Sequence, residues 1–354
     1  MQALVVTGNG GLERLELADV REPEPGPGEV VVALEAAALN HLDLFVLSGL
    51  PGIPPSFPHV GGADGTGVVV RTGSDVQGWQ EGDEVVLNPG ISCGTCEFCR
   101  KGQESLCIRF ALLGEHLPGT FAEFVKVPAT SLGRRPAHLS WAESAAFPLT
   151  FLTAWRMLVS RGHLAVGETV LIHGVGGGVA LAALAIAKHL GATVFVTSSS
   201  DAKLEEAVTM GADLALNYSQ RDIAREVRAV TSKRGVDLVV ETTGAATWRT
   251  SLKCAAKGGR IVTCGATTGP NPEEEIRLVF WNQLSILGST MGSAADWQAM
   301  VAAVEKWQLH PVLDSVLPLG RGREAYQRLS AGGHFGKLVL TVGERASAPE
   351  VASR

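Results

Sequence analysis

Several features that would tie this chain to a membrane, a nucleic acid or a secretory route are missing from its sequence. No apolar run within the 354 residues reaches the roughly 20 residues needed to span a bilayer. Basic residues form no run and no stripe interleaved with aromatics, and the net charge is −6, so nucleic acid is not expected as a partner. The chain enters a strand at Gln2 to Val6 without a charged and then apolar leader. We therefore expect a soluble, cytoplasmic protein that acts on a small-molecule substrate.

Cysteine is also scarce outside one short stretch. Of the six cysteines, all but Cys254 and Cys264 lie between positions 93 and 107, and such clustering in a cytosolic chain indicates a metal site more than disulfides. The spacing Cys-x2-Cys-x2-Cys-x7-Cys presents four thiolates from one loop, as in a closed, tetrahedral structural zinc site. The isolated Cys254 and Cys264 are interpreted as small buried hydrophobic residues. We predict one structural zinc per chain, disulfides or free thiols being the alternative, with the ligands Cys93, Cys96, Cys99 and Cys107.

The stretch from Glu168 to Gly191 organises the rest of the chain. An apolar, β-branched segment, Thr169 to His173, precedes a Gly-Val-Gly-Gly-Gly turn at 174–178, which is followed by apolar residues at helical spacing. Such a strand, turn and helix form the phosphate-binding half of a dinucleotide fold, because glycines let the backbone approach a pyrophosphate at the helix N-terminus. The match is imperfect because Val175 occupies the first key position, and a tight turn without a ligand is the alternative.

The pattern changes along the chain in a way that predicts two domains. Residues 1–147 are rich in strands and glycine, which fits an irregular β-barrel carrying the cysteine lobe at 88–107. Residues 148–292 alternate strands and helices and predict an α/β, doubly wound parallel sheet. Residues 293–342 are expected to return to the first domain, and 343–354 to form a disordered tail. The six candidate strands of the parallel sheet are 169–173, 193–197, 214–216, 236–240, 259–264 and 284–288.

Together these features resemble the medium-chain dehydrogenase/reductase superfamily over about residues 1–343. The cysteine spacing, the segment from Pro58 to Gly67 (PHVGGADGTG) and the segment from Ala145 to Trp155 (AAFPLTFLTAW) carry the resemblance. It implies a GroES-like barrel domain, a six-stranded Rossmann domain, a nicotinamide cofactor and oxidoreductase activity.

The resemblance also indicates which residues would carry the chemistry. Zinc alcohol dehydrogenases of the superfamily hold a catalytic zinc with a Cys, a Gly-His-Glu segment and a further Cys. The corresponding positions here are Asn40, Ala63-Asp64 and a position near Leu149, which cannot assemble a thiolate and imidazole site. The structural zinc is therefore expected without a catalytic one. The Asn40 and Gly-Ala-Asp arrangement is instead similar to the zinc-independent quinone and enone reductases of the superfamily, which usually lack the cysteine lobe. The catalytic candidates are Asn40, Asp43 and Asp64, the two acids being alternatively structural acceptors for backbone N–H groups.

Two histidines, His41 and His59, lie near these positions in sequence but off the motif. We interpret one of them as a cap or core residue and the other as a solvated loop residue.

The second strand of the parallel sheet ends in serines, where a NAD enzyme places an acid that binds the ribose hydroxyls. Ser198 removes the repulsion that a carboxylate would exert on a 2′-phosphate, and Lys203 offers a cation. The resemblance adds Tyr218 as a phosphate contact. We predict NADPH over NADH, the alternative being that the serines merely cap the following helix. The cofactor-binding candidates are Thr153, Gly174, Gly176, Gly177, Gly178, Val179, Ser198, Ser199, Lys203, Tyr218, Gly265, Ser289 and Lys337.

Three functions are compatible with these residues. The first is a metal-independent, NADPH-dependent reductase of a quinone or activated alkene, because hydride addition to a conjugated system needs only a hydrogen-bond donor and a proton. The second is an alcohol dehydrogenase, although a simple carbonyl normally needs a Lewis acid or a proton donor. The third is a non-catalytic NADPH-binding sensor.

The last strand of the parallel sheet, near Leu284 to Gly288, has neither charge nor proline to block edge pairing. A two-fold axis would pair it with its own copy, and Phe280 and Trp281 would add aromatic contact area. Dimers of the resembling superfamily use the same element. We expect a homodimer or a dimer of dimers; a monomer with a covered edge is the alternative.

Overall fold

The computed structural model describes residues 1–50 and 56–343, in two compact units. Unit 1 comprises Met1–Leu149 and Ser293–Arg354, and unit 2 comprises Thr150–Gly292. The sequence-based boundaries lie after residues 147 and 292. Residues 51–55, in a proline-rich segment, and 344–354, in the predicted tail, lie outside the described residues.

The N-terminal part of unit 1 is mostly β-structure with short helices. Its strands are β1 (Gln2–Val6), β2 (Leu15–Asp19), β3 (Glu29–Ala38), β4 (His59–Val60), β5 (Asp64–Thr72), β6 (Glu84–Leu87), β7 (Gly90–Ile91), β8 (Ala111–Leu112), β9 (Phe124–Pro128) and β10 (Leu132–Arg134). Its helices are α1 (His41–Ser48), α2 (Glu97–Arg100), α3 (Trp141–Ala146) and α4 (Pro148–Trp155), the last crossing the boundary in sequence. Three short 3-10 turns lie at Leu12–Arg14, Glu104–Leu106 and Ala129–Ser131.

Unit 2 alternates strands and helices as the sequence predicts. Its strands are β11 (Thr169–Ile172), β12 (Thr193–Ser198), β13 (Leu214–Asn217), β14 (Val236–Glu241), β15 (Ala255–Thr263) and β16 (Ser285–Gly288). Its helices are α5 (Gly178–His189), α6 (Asp201–Thr209), α7 (Ile223–Val230), α8 (Trp248–Cys254) and α9 (Ile276–Trp281), preceded by a π-helical turn at Arg156–Arg161. All strand pairs are parallel, in the order β13-β12-β11-β14-β15-β16. This order places β11, which precedes the glycine turn, at the centre of a doubly wound sheet.

The C-terminal part of unit 1 completes its main sheet. It contributes α10 (Ala294–Trp307), β17 (Leu313–Pro318), a 3-10 turn at Leu319–Arg321, α11 (Gly322–Ala331) and β18 (Lys337–Thr341). The sheet runs β10-β6-β5-β3-β18-β17, with β9 also paired to β3. Smaller sheets join β2-β1-β4 and β7-β8. The chain thus returns to unit 1, where β18 pairs antiparallel with β3.

Strand β3 is the central strand of unit 1 and departs from its predicted pattern. The alternation of Val30, Val32 and Leu34 predicts a strand with one buried face, but nearly the whole of β3 is buried. Neighbours on both edges and packed side chains on both faces explain this, since Val30 belongs to one core cluster and Ala36 to another. The strand also continues to Ala38, through residues predicted as loop, because alanines there are small enough to lie beneath α3.

Two further elements lack a clear sequence signal. Strand β17 shows no alternation in burial, and helix α9 has no fully buried residue. β17 and α9 form because neighbouring segments pair with them or follow them in the chain. Hydrophobic periodicity within an element does not report such neighbours. Among the described residues, no helix combines the length and hydropathy that crossing a bilayer requires.

Candidate active site

Strand register in unit 1 brings three distant polar residues together. In the β3–β5 pair Ala38 lies opposite Asp64, and in the β3–β18 pair Ala38 lies opposite Val339. Counting two residues along the antiparallel β3–β18 register places Lys337 opposite Asn40, just beyond the paired residues. Asn40, Asp64 and Lys337 therefore meet at the end of β3.

These side chains form a fully buried hydrogen-bonded cluster, which we call the Lys337 cluster (Asn40, Asp64 and Lys337). The Lys337 ammonium donates to Asn40 Oδ1 at 2.6 Å and to Asp64 Oδ2 at 3.0 Å. The Asn40 amide donates to the same Asp64 oxygen at 2.9 Å, and the Leu149 N–H donates to Asp64 Oδ1 at 2.7 Å. Lys337 is 5% exposed and Asp64 is 0% exposed, so the ion pair is little screened by water.

Both acids accept hydrogen bonds from backbone N–H groups. Both oxygens of Asp64 accept, and Asp43 Oδ2 accepts from the Asn40 N–H at 2.6 Å while Oδ1 accepts from the Gly62 N–H at 3.2 Å. Burial raises the pKa of Asp43 to about 7, against the N–H donors and the Lys337 charge, which lower it. Asp43 thus fixes the start of α1 to the loop before β5 and orients Asn40.

The two nearby histidines stay outside this cluster. The His59 Nε2 lies 3.0 Å from the Gly114 carbonyl oxygen, and burial lowers the pKa of this ring. His41 is an exposed residue at the start of α1 whose ring lies against Phe45. Among the described residues neither is hydrogen-bonded to Asn40 or Asp64.

The four predicted zinc ligands converge as the spacing predicts. The sulfurs of Cys93, Cys96, Cys99 and Cys107 all lie within 4.8 Å of one another, and this is the one group of this kind found among the described residues. The Cys93–Cys99 and Cys96–Cys99 sulfur distances are 3.9 and 3.5 Å. Four thiolates around zinc at about 2.3 Å stand about 3.8 Å apart, so the donor set fits this metal. A bound zinc would fix the conformation of the cysteine lobe. The four sulfurs would fill all four coordination positions, so none would be left for water.

The glycine turn of unit 2 has the backbone that a phosphate site needs. Gly174 and Gly176 have positive φ angles of 71° and 117°, which favour glycine. A Cβ at Gly174 or Gly177 would meet no atom nearer than 3.6 Å, so the space beside the turn is open. The N-cap residue of α5, Gly177, supplies no side-chain acceptor, and the first-turn N–H groups keep their capacity for an anion. Val179 lies half-buried in that first turn.

The serines after β12 have two roles. Ser198 is buried and its Oγ accepts from the Ser200 N–H at 3.2 Å, while Ser200 Oγ caps α6 at the Lys203 N–H. The capping alternative therefore applies to Ser200. Ser199 is exposed, as is Tyr218, whose N–H donates to the Ser198 carbonyl oxygen at 3.1 Å. No acidic side chain occupies the end of β12.

The remaining cofactor candidates are split between the units. In unit 2, Thr153 is buried beside Met291, and Ser289 is buried with an Oγ that has no hydrogen-bond partner among the described residues. A Cβ at Gly265 would approach the Thr242 carbonyl oxygen to 2.9 Å, so this glycine permits two loops to meet. Lys337 lies in unit 1, and the structure shows its ammonium bonded to Asn40 and Asp64.

A buried polar chain beneath the glycine turn was missed from the sequence. Glu241, at the end of β14, accepts from the N–H groups of Thr243 and Gly244 and from the Ser251 hydroxyl at 2.6 Å. Ser251 must then accept from His173 Nε2, 3.0 Å away, which leaves His173 Nδ1 to accept from a hydroxyl on β12. Burial lowers the pKa of His173, so the ring is neutral. The sequence signal that could have found this chain of residues is a charged residue at the end of an apolar strand. Such a residue indicates a buried acid whose hydrogen bonds are satisfied.

Known protein families match both parts of the chain. The model described as the alcohol dehydrogenase GroES-like domain matches residues 26–137, and the zinc-binding dehydrogenase model matches residues 178–306. The zinc-type alcohol dehydrogenase-like protein of Schizosaccharomyces pombe is 36% identical over 343 residues, covering 94% of this chain and 96% of that protein. The chain belongs to the medium-chain dehydrogenase/reductase superfamily.

Two more members of the superfamily are informative. The acryloyl-coenzyme A reductase of Metallosphaera sedula is 31% identical over 345 residues, covering 96% of this chain and 100% of that protein. A solved NAD-dependent alcohol dehydrogenase superposes with a TM-score of 0.93 at 48% identity, covering 97% of this chain and all of that one. This chain is therefore an NAD(P)-dependent oxidoreductase. The predicted fold, with a GroES-like domain and a Rossmann-type domain, is confirmed.

Proposed function

We propose that this enzyme is an NADPH-dependent reductase of an activated alkene or quinone that works without a catalytic metal. One observation carries the proposal: the motif positions of a catalytic zinc site correspond to Asn40, Ala63-Asp64 and a position near Leu149, and the cation bonded to Asn40 and Asp64 is Lys337. A divalent ion bound by the same oxygens would have to displace or repel this ammonium.

The chemistry that such a cluster supports differs from that of a Lewis acid. When bound, the nicotinamide supplies a hydride. An enone that accepts a hydride at its β-carbon carries the electron pair on oxygen as an enolate, and a proton from solvent at the α-carbon completes the reaction. The Asn40 amide and the Lys337 ammonium are donors suited to that developing negative charge, and Asp64 and Asp43 hold them in place.

The relatives support both this proposal and a second candidate. The relative named acryloyl-coenzyme A reductase has a name that describes reduction of a conjugated alkene. The neighbour named NAD-dependent alcohol dehydrogenase favours alcohol and aldehyde interconversion instead, with NADH. A non-catalytic NADPH sensor would show tight cofactor binding without turnover.

The cofactor preference belongs to the same proposal. In unit 2 the cofactor would be held by the glycine turn, the first turn of α5, Ser198 and Ser289. The end of β12 carries Ser198 where an acid would exclude a 2′-phosphate, Lys203 follows it in the chain, and the Tyr218 N–H donates to the Ser198 carbonyl oxygen. We therefore infer a preference for NADPH.

The test is an assay of purified enzyme with 1,2-naphthoquinone, an enone and a primary alcohol, each with NADPH/NADP and NADH/NAD. We expect turnover of the enone or quinone with NADPH and no gain from added zinc. Alcohol oxidation that appears only with added zinc would support the dehydrogenase candidate instead. Binding of NADPH without turnover of any substrate would support the sensor.

A further inference from the structure

A cavity lined by residues of unit 1 alone is separate from the Lys337 cluster. Its volume is about 910 Å³, and none of Asn40, Asp43, Asp64 and Lys337 lines it. Its apolar walls come from β4, β9 and the loop after β8; the main apolar residues are Val60, Ile91, Leu113, Leu117, Phe124 and Val125. A cavity of this size that combines apolar walls with polar side chains has the character of a small-molecule site.

An acid lines this cavity without a partner. Glu115 is 8% exposed, and among the described residues no group donates a hydrogen bond to its carboxylate. The nearest candidate is His116 Nδ1, 3.9 Å from Glu115 Oε1. That nitrogen accepts from the Leu112 N–H at 3.2 Å, so it carries a lone pair and no proton for Glu115. Burial raises the pKa of the Glu115 carboxyl, as expected for an uncompensated charge.

A second acceptor lines the same cavity. His59 is 5% exposed, and its Nε2 lies 3.0 Å from the Gly114 carbonyl oxygen, which can only accept. Nε2 therefore carries the ring proton. Since burial lowers the pKa of His59, the ring is neutral and its Nδ1 is an acceptor that no described residue uses. Two acceptors on buried residues therefore line one cavity, and no described residue donates a hydrogen bond to either of them.

Other charged groups also line the cavity. Lys126 is an exposed residue whose ammonium is 2.9 Å from Glu29 Oε2, and Arg21 is exposed. The Met1 ammonium donates to the Val20 carbonyl oxygen at 3.0 Å. Exposed charges are screened by solvent and ions, whereas the charge of the buried Glu115 is screened less.

We propose that this cavity binds a small organic amine, with the ammonium donating to Glu115 and to His59 Nδ1 and the hydrocarbon body packed on the apolar walls. Such a ligand would donate to both acceptors and place a positive charge beside Glu115. The site is independent of the reaction centre, so its occupancy neither requires nor replaces the reductase activity proposed above.

The probe is 2-phenylethylamine, measured by isothermal titration calorimetry with the full-length protein. 2-Phenylethanol has the same body without the charge, and 3-phenylpropionate reverses the charge. We expect binding of the amine, with binding of the alcohol at least tenfold weaker and none of the carboxylate. No detectable amine binding up to millimolar concentration, or equal binding of the alcohol, would overturn the proposal.

Two variants locate the site. Glu115→Gln keeps the shape and removes the charge, and His59→Gln keeps a donor for the Gly114 carbonyl while removing the Nδ1 acceptor. Amine binding should weaken at least tenfold in Glu115→Gln and several-fold in His59→Gln, and should be unchanged in Glu81→Gln, which alters an exposed acid of the same unit. Glu115→Gln should melt no lower than wild type and retain its turnover, since it loses no hydrogen bond. Equal amine binding by wild type and Glu115→Gln would place the amine elsewhere.

Discussion

The glycine turn of unit 2 and the Lys337 cluster of unit 1 are assembled in opposite ways. The turn consists of consecutive residues, 174–178, whose backbone N–H groups and open space do the binding. The cluster takes Asn40, Asp64 and Lys337 from the ends of three strands and works through side chains. Replacing a glycine of the turn therefore has a local effect. The position of each cluster residue, in contrast, depends on the strand register of a whole sheet.

The largest expected effect is in the cluster. Lys337→Met leaves Asp64 as a buried, unpaired charge, and we expect a loss of about 3–5 kcal/mol in the free energy of unfolding. Turnover should fall by at least roughly 100-fold, because the donor to the developing enolate is gone. Urea unfolding and steady-state kinetics with an enone measure the two effects.

Lys337→Arg is the matched control, since it keeps the positive charge. It should recover most of the stability and part of the turnover. Wild-type kinetics in Lys337→Met would show that the cluster is only structural.

The contrast between the two regions also explains what the sequence could predict. Strand β11, the turn and α5 are contiguous, so spacing and residue type reveal them without knowledge of the fold. Asn40 and Asp64 were found through a family motif, but the bond from Lys337 was not, because it depends on the β3–β18 pairing across almost the whole chain. Glu241 and His173 were missed for the same reason: their link runs through Ser251 on α8.

The next effect concerns Asp43 and pH. Burial raises the pKa of this carboxyl from 3.8 to about 7, so the folded state holds the proton more tightly than the unfolded chain. The stability that protonated Asp43 contributes is complete below about pH 4 and is lost as the pH rises through 7, on the order of a few kcal/mol. Asp43→Asn should flatten the stability profile between these values.

The control for this profile is Asp75→Asn, which removes an exposed acid of the same unit. Its pH profile should follow that of wild type. Parallel profiles for wild type and Asp43→Asn in urea unfolding would contradict the assignment.

On the unit 2 side, Ser198→Asp tests how the turn region selects its cofactor. A carboxylate at the end of β12 repels a 2′-phosphate and accepts from ribose hydroxyls, so the preference for NADPH over NADH should fall by about 1–3 kcal/mol. Fluorescence titration of both cofactors gives the ratio. Ser330→Asp, an exposed substitution in α11, controls for added charge, and tighter binding of NADH than NADPH by wild type would refute the interpretation of Ser198.

The smallest expected effect is on assembly, where we propose a homodimer or a dimer of dimers. Strand β16 ends the sheet of unit 2, and the nearby Phe280 and Trp281 are 61% and 73% exposed. Ile286→Lys places like charges across a two-fold axis and should weaken association by about 1 kcal/mol or more. Sedimentation equilibrium measures it, and a wild-type mass near the 37.1 kDa of one chain at micromolar concentration would rule out the dimer.

The zinc content of the active wild-type enzyme tests the central claim most directly. Elemental analysis of protein that reduces an enone with NADPH should give one zinc per chain, bound by Cys93, Cys96, Cys99 and Cys107. The Lys337 cluster already holds its own cation, so turnover should not rise when zinc is added. Two zinc ions per chain, with activity that follows the second ion on removal and return, would contradict the account.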